Sequence, residues 1–311
     1  MFFKSDFFLI DYTLQKAYQT VFQLKNQLFV NKKYYIVIKY VVLYDTMSHK
    51  GFYMFAIEEF DIKLETDFIG RNFIYLDETE STNRFVLNSA NNVKQDGSVV
   101  LAEFQTAGRG RLDRKWVSSR EQNLTFTILV DLKERSIKHP QLLNFVASLV
   151  VARSIENLHL IKTNLKWPND VLVGSKKVAG ILCESVSQGS RISKVAVGIG
   201  INVNQANFAS GYLTEPTSVR MELKQPVSRE RLLAEILNNF EYTLARLEEE
   251  PNQIVAEWKQ FCKMLGDKVT VKAGEEEFTG LFTDVSEEGH IILIDNYDDK
   301  KTITFGDVSA I

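Results

Sequence analysis

The 311-residue sequence predicts an α+β fold: a larger domain of short strands and amphipathic helices, then a small all-β barrel. Three observations carry that reading. Between Phe73 and Val203, runs of alternating apolar residues are separated by segments whose apolar positions recur at helical spacing. A long helix follows over Ser228 to Glu248, with Leu232, Leu233, Ile236, Leu237, Phe240 and Leu244 along one face. Beyond Gly266 only short β-rich runs remain, divided by turn signals.

Taken in order, residues 1 to 62 read as an N-terminal extension, with a helix expected over Asp11 to Phe29 and a strand over Tyr34 to Tyr44. The apolar run from Ile36 to Tyr44 contains Lys39 and is far short of the roughly 20 residues a membrane span needs. The central domain, 63 to 265, opens with a strand at Phe73 to Leu76. Ser81 stands as the N-cap of a helix expected over Asn83 to Ala90. Strands are expected at Ser98 to Phe104 and Leu124 to Val130, and a helix over Pro140 to His159, where Leu143, Val146, Leu149, Val150 and Ile155 share a face. Ile192 to Val203 reads as a strand ending at a glycine-containing turn. In the last domain, 266 to 311, strands are expected at Lys268 to Val271, Glu277 to Phe282, Ile291 to Ile294 and Thr302 to Phe305. Ala273-Gly274, Glu288-Gly289 and Asp295-Asn296 supply the turns between them.

Composition narrows the function classes. A charged fraction of 25% and a hydrophobic fraction of 45% are ordinary for a soluble globular protein. The net charge of -3 argues against a general nucleic-acid binder. Two widely spaced cysteines, Cys183 and Cys262, exclude a disulfide framework and a structural zinc site and suit a reducing cytoplasm. Cys183 reads as a buried small residue rather than a nucleophile. No export signal or membrane span stands out, so a cytoplasmic protein is expected.

The richest stretch is Gly108-Arg-Gly-Arg-Leu-Asp-Arg-Lys-Trp116, which puts two glycines, four cations and a tryptophan between two strands. Glycines let a backbone approach a ligand and turn its N–H groups toward an anion. Arginines add forked donors suited to phosphate or carboxylate. Downstream come Lys166-Trp-Pro-Asn-Asp170, Lys176-Lys-Val-Ala-Gly-Ile-Leu-Cys-Glu184 and Gly198-Ile-Gly-Ile-Asn202. Together with Ser81-Thr-Asn83 these segments, in this order between about 70 and 205, closely resemble the landmarks of the biotin–protein ligases. The resemblance implies a mixed-sheet catalytic domain of the biotin/lipoate ligase type, followed by an SH3-like barrel.

It also implies a two-step reaction. Biotin and ATP give biotinoyl-5'-AMP, and biotin then passes to one lysine of a biotin carboxyl carrier domain. Mg²⁺ is expected with the ATP, where Lys166, Asn169 and Asp170 would face the nucleotide and its metal. The expected catalytic residues are Lys177, against the biotin carboxylate, with Arg111, Arg114 and Asp170. Arg111 and Arg114 would engage the adenylate phosphate, and Asp170 would serve Mg²⁺ or the incoming ammonium. Ser81, Thr82 and Gln105 would meet the biotin ring head, Gly108, Arg109 and Gly110 would line its pocket with Arg111 and Lys177, and Gly180 and Gly198 would allow close approach. Trp116, Lys166, Asn169 and Asn202 would face the nucleotide, while Trp167 and Pro168 fix a turn. The four histidines, His49, His139, His159 and His290, read as surface residues.

One departure concerns Asp113, where many relatives carry a third glycine; an acid there could pair with Arg111 or Arg114 and hold an open loop. Two rivals stand beside the main reading. A lipoate ligase shares the fold, but its family uses different motifs. A biotin-responsive transcriptional repressor would need a DNA-binding N-terminus, and residues 1 to 62 hold seven lysines, six acids and no arginine. A homodimer is compatible with the chain.

Overall fold

The computed structural model describes residues 55–133, 135–189 and 191–310. The helix and strand expected within residues 11 to 44 lie outside these, as does His49. Phe55 to Ile311 forms one compact unit. It begins with α1 (Ile57–Lys63), whose Phe60 is buried in the main core although the sequence reading placed it in the extension.

A seven-stranded mixed sheet organises the larger part. In chain order its strands are β1 (Phe73–Thr79), β2 (Val99–Gln105), β3 (Leu124–Asp131), β4 (Thr163–Lys166), β5 (Asp170–Val173), β6 (Lys176–Gln188) and β7 (Arg191–Ile201). Their order across the sheet is β1-β2-β3-β7-β6-β5-β4, with β1 and β2 parallel and the other neighbours antiparallel. The short α2 (Thr82–Leu87) lies on one face, over β2, β3 and β7. The other face is covered by α3 (Leu143–His159), which α5 (Arg229–Glu249) and α6 (Pro251–Phe261) pack against; the short α4 (Val219–Leu223) precedes α5 in the chain. Ser228 caps α5 by accepting from the Arg231 N–H.

Strand alternation decides which face becomes core. Along β7, Val195, Val197, Ile199 and Ile201 enter the main core, whereas Ala196, Gly198 and Gly200 face the side of α2. Large β-branched residues therefore fill one side while the other is stripped to the backbone. This face carries the site.

The C-terminal part is a five-stranded antiparallel sheet, β11-β10-β9-β8-β12, from β8 (Lys268–Ala273), β9 (Glu276–Val285), β10 (Ile291–Ile294), β11 (Lys300–Ile303) and β12 (Asp307–Ala310). This agrees with an SH3-like domain. The strand expected at 302 to 305 lies two residues earlier. Phe305 is exposed because Gly306, at φ +140°, turns the chain into β12. The sheet meets the larger domain where the buried Trp167 donates to the Gly289 carbonyl at 3.0 Å.

Candidate active site

The glycine–arginine segment forms a small hairpin. Trp116 N–H donates to the Gly108 carbonyl and Gly110 N–H to the Arg114 carbonyl, with Arg109 bridging to Lys115 between them. Its turn places Leu112 and Asp113 at φ +51° and +57°. Asp113 thus adopts the left-handed backbone a glycine would take more readily. It makes no ion pair among the described residues, so the expectation that it holds the arginines is corrected. Both reach across to the barrel instead: Arg111 meets Asp307 Oδ1 at 3.4 Å and the Gly306 carbonyl at 3.0 Å, and Arg114 meets Asp307 Oδ2.

At the root of the hairpin, the Trp116 indole lies across Gly180 and Gly200, which are register partners on β6 and β7. A Cβ on Gly200 would collide with the ring. The buried indole N–H has no partner among the described residues, a donor left for an acceptor on the ligand. Trp116 therefore already lies down on the sheet, where the sequence reading has it fold over adenine. Lys177 Nζ stands 5.9 Å from the centre of the same ring.

Beside it, Lys177 pairs with Asp170 Oδ1 at 2.6 Å. The Lys177 backbone is strapped by residues 215–217, accepting from Thr217 and donating to Glu215. Burial pulls Lys166 below the ordinary lysine range; Asp170 opposes this, while Lys177 and Arg114 add to it. Burial likewise lowers Arg111, with Asp170 opposing and Arg114 contributing. Arg111, Arg114, Lys166 and Lys177 are thus gathered within one field around two carboxylates, Asp170 and Asp307. The excess positive charge, partly removed from water, is built to receive an anion.

On the far side, Gln105 Oε1 accepts from the Thr82 N–H at 2.7 Å and lies 3.2 Å from its hydroxyl. Thr127 Oγ1 joins Thr82 at 2.8 Å and Asn83 Oδ1 at 2.6 Å. Asn83 Nδ2 reaches the Leu182 carbonyl and Glu184, which also takes Arg109 at 3.0 Å. Ser81 is buried at the start of α2 as expected, but its side chain makes no capping bond.

Three expected contacts are engaged elsewhere. Asn202 is buried, and its amide donates to the Thr217 carbonyl, pinning the strap behind Lys177 rather than facing a nucleotide. Asn169 donates to the Ile181 carbonyl at 2.6 Å and ties the turn to β6. Gly198 makes room for the Asn83 amide, which a Cβ would overlap. Glu184, Thr127, Gly200 and Asp307 were not among the expected site residues. The alternation of large and small residues over 195–201 was a usable signal for Gly200.

Burial pushes the Cys183 thiol up to about 12, with Glu184 adding to the shift, which disfavours the thiolate a nucleophile would need. His139, His159 and His290 are half-buried rather than exposed, and the enclosed Nε2 of His159 has no partner among the described residues.

Comparison with known proteins agrees with this architecture. The family described as "Biotin/lipoate A/B protein ligase family" matches residues 75–202. The chain is 34% identical over 222 residues to the biotin--[acetyl-CoA-carboxylase] ligase of Paracoccus denitrificans, covering 69% of this chain and 91% of that one. It is 31% identical over 241 residues to the bifunctional ligase/repressor BirA of Bacillus subtilis (strain 168), covering 76% of this chain and 74% of the relative. Among solved structures, the biotin protein ligase from Aquifex aeolicus in complex with biotin and ATP superposes with a TM-score of 0.67 at 30% identity, covering 77% of this chain and 98% of that one. The chain belongs to the biotin/lipoate A/B protein ligase family and, within it, to the biotin–protein ligases.

Proposed function

We infer that this ligase activates biotin with ATP and transfers it to a lysine of a biotin carboxyl carrier domain. The observation that carries the chemistry is the cation cluster around Asp170 beneath the hairpin. A carboxylate oxygen attacking the α-phosphate brings two anions together, and Lys177, Arg111 and Arg114 neutralise the charge as they meet. Pyrophosphate leaves and a mixed anhydride remains. The hairpin, hinged at Gly108 and Gly110, shields that anhydride from water. The lysine amine of the carrier then attacks the acyl carbon, AMP departs, and Asp170 is positioned to take the ammonium proton.

Gln105 and Thr82 supply the polar contacts for the ring head. Ser81, Arg109 and Gly180 complete that pocket, and Trp116 and Lys166 border the nucleotide. Mg²⁺ would enter on the triphosphate, with Asp170 as its protein oxygen, a hard donor of the kind this ion takes. Residues 63 to 265 form the catalytic domain in this reading and 266 to 311 the barrel. No helix among the described residues is long and apolar enough to cross a membrane; a cytoplasmic location and a homodimer stay with the proposal.

The test is incubation with ATP, Mg²⁺ and a carrier domain, offering biotin and lipoate separately and reading intact mass. A mass gain of one biotinyl group supports the reading. Labelling by lipoate alone overturns it.

A further inference from the structure

One carboxylate in the site has no part in the chemistry above. Glu184 lies on β6, two and four residues from Leu182 and Gly180 on the same sheet face. Its two oxygens are divided between two walls of the pocket. Oε1 takes Arg109 Nη1 of the hairpin at 3.0 Å, and Oε2 takes Asn83 Nδ2 of α2 at 2.9 Å. We propose that Glu184 is a positioning residue for the acid substrate, clamping the root of the hairpin to the start of α2 so that the pocket is in register before the acid arrives. The identity of that acid rests on the biotin-ligase reading; the clamp rests on geometry.

The hydrogen-bond polarity of the site supports the clamp. Asn83 Nδ2 donates to both the Leu182 carbonyl and Glu184, which fixes its amide in one orientation and turns Oδ1 toward Thr127. Thr127 Oγ1 donates toward that oxygen at 2.6 Å and lies 2.8 Å from the Thr82 hydroxyl, which faces Gln105 Oε1. The Thr82 N–H in turn holds Gln105 Oε1, and Gln105 Nε2 is left as a donor turned toward Gly108. A cyclic urea carbonyl is an acceptor, so this is the polarity its recognition needs. The close seat of Asn83 on the Gly198 backbone leaves no slack for the amide to drift.

Charge gives a second reason. Arg109 pairs with neither Asp170 nor Asp307, and its side chain is 36% exposed. Unpaired, it would be a mobile cation able to draw the carboxylate of the substrate away from Lys177. Glu184 both neutralises and parks it.

The test uses the full chain and the variants Glu184→Ala, Glu184→Gln and Asn83→Ala, with pyrophosphate release measured while biotin and ATP are varied separately. Glu184→Ala is expected to raise the KM for biotin about tenfold, with kcat within about threefold and the KM for ATP unchanged, because binding rather than the phosphate chemistry is lost. Glu184→Gln, with one acceptor oxygen and no charge, falls between. The Glu184→Ala/Asn83→Ala pair is expected to be less than additive, as for groups acting through one contact. An unchanged KM for biotin, or equal losses in kcat and both KM values, overturns the clamp. If the alanine variant does not fold, a folded Glu184→Gln variant with the wild-type KM for biotin does the same. Wild-type protein that activates lipoate and not biotin refutes the substrate but not the clamp, and the series is then read with lipoate. Should it activate neither acid, both fall.

Discussion

Arg229 and Arg111 each end on a carboxylate contributed from far along the chain, yet their surroundings differ sharply. Arg229, at the start of α5, grips Glu103 of β2 through both guanidinium nitrogens, at 2.6 and 3.0 Å, with side chains only 5% and 1% exposed. Tyr75 donates to the same carboxylate at 2.8 Å, and its phenol is raised by burial first and by Glu103 second. Arg111 and Arg114 share Asp307 of the barrel at 18 to 44% side-chain exposure. The first pair is dry and fully bonded, so losing one partner strands a charge in the core. The second is only partly shielded from water, so an incoming phosphate can compete for the arginines with its carboxylate. One arginine pair is therefore a fixture of the fold and the other is a catch that substrate can release.

The most severe test of this contrast is Glu103→Ala. Removing one partner of a buried pair costs about 3–5 kcal/mol, which for a domain of this size lowers the melting temperature by on the order of 10 °C. Thermal unfolding with little or no change would show that the core pair is not what fixes α5 to the sheet. Next come Arg111→Ala and Lys177→Ala, each expected to lose about 3 kcal/mol of transition-state stabilisation, on the scale of a lost oxyanion donor. Adenylate formation read by pyrophosphate release is the check, and wild-type rates in either variant would remove that residue from the mechanism.

A pH series sharpens the picture of the cation cluster. Because burial lowers Lys166, its charge is lost at a pH below the ordinary lysine value, so nucleotide affinity should decline earlier on the alkaline side than a free lysine would allow. Over that same window the unfolded chain binds more protons than the folded one, so the contribution of Lys166 to stability rises with pH. Lys166→Arg should push the decline in affinity to higher pH; an unmoved profile would assign it to another group. The smallest effects belong to the exposed catch. Asp307→Ala should cost less than about 1 kcal/mol of stability, while proteolysis within 108–116 becomes faster. Asp113→Gly should leave proteolysis unchanged, because Asp113 holds neither arginine, and gain about 1 kcal/mol or less by relieving the left-handed backbone.

β1, β2, β3, β7 and the long helices are legible because they depend on local periodicity, whereas β4, β5 and the 13-residue β6 are not among the expected strands. The helix expected over Ser228 to Glu248 forms over Arg229–Glu249, with its apolar face in the core. The one expected over Asn83 to Ala90 stops at Leu87, where extended Asn88 turns the chain into a short 3-10 segment. Helix α6 was not expected from the sequence, although Pro251 sits at its first turn and Trp258 is fully buried. The landmark cations were visible as motif residues, and Lys177, Asp170, Lys166, Arg111 and Arg114 do come together. Their counter-charges were not visible. Asp307 lies 196 residues from Arg111, and Glu184 lies 101 residues from Asn83. Pairings at such separation are set by how distant elements fold against each other, which no window of sequence contains. Gly198 and Asn202 show the complementary case: motif residues that also seat their neighbours, Asn83 and the Thr217 carbonyl.

The state of the indoles offers a direct optical readout. Of the three tryptophans, Trp167 and Trp258 are enclosed with their N–H groups bonded to Gly289 and Ser148, whereas the Trp116 N–H is unmatched beneath the hairpin. A shift in intrinsic fluorescence on adding nucleotide or acid is therefore expected to come chiefly from Trp116, so the unmodified protein carries an emission probe at the root of the hairpin.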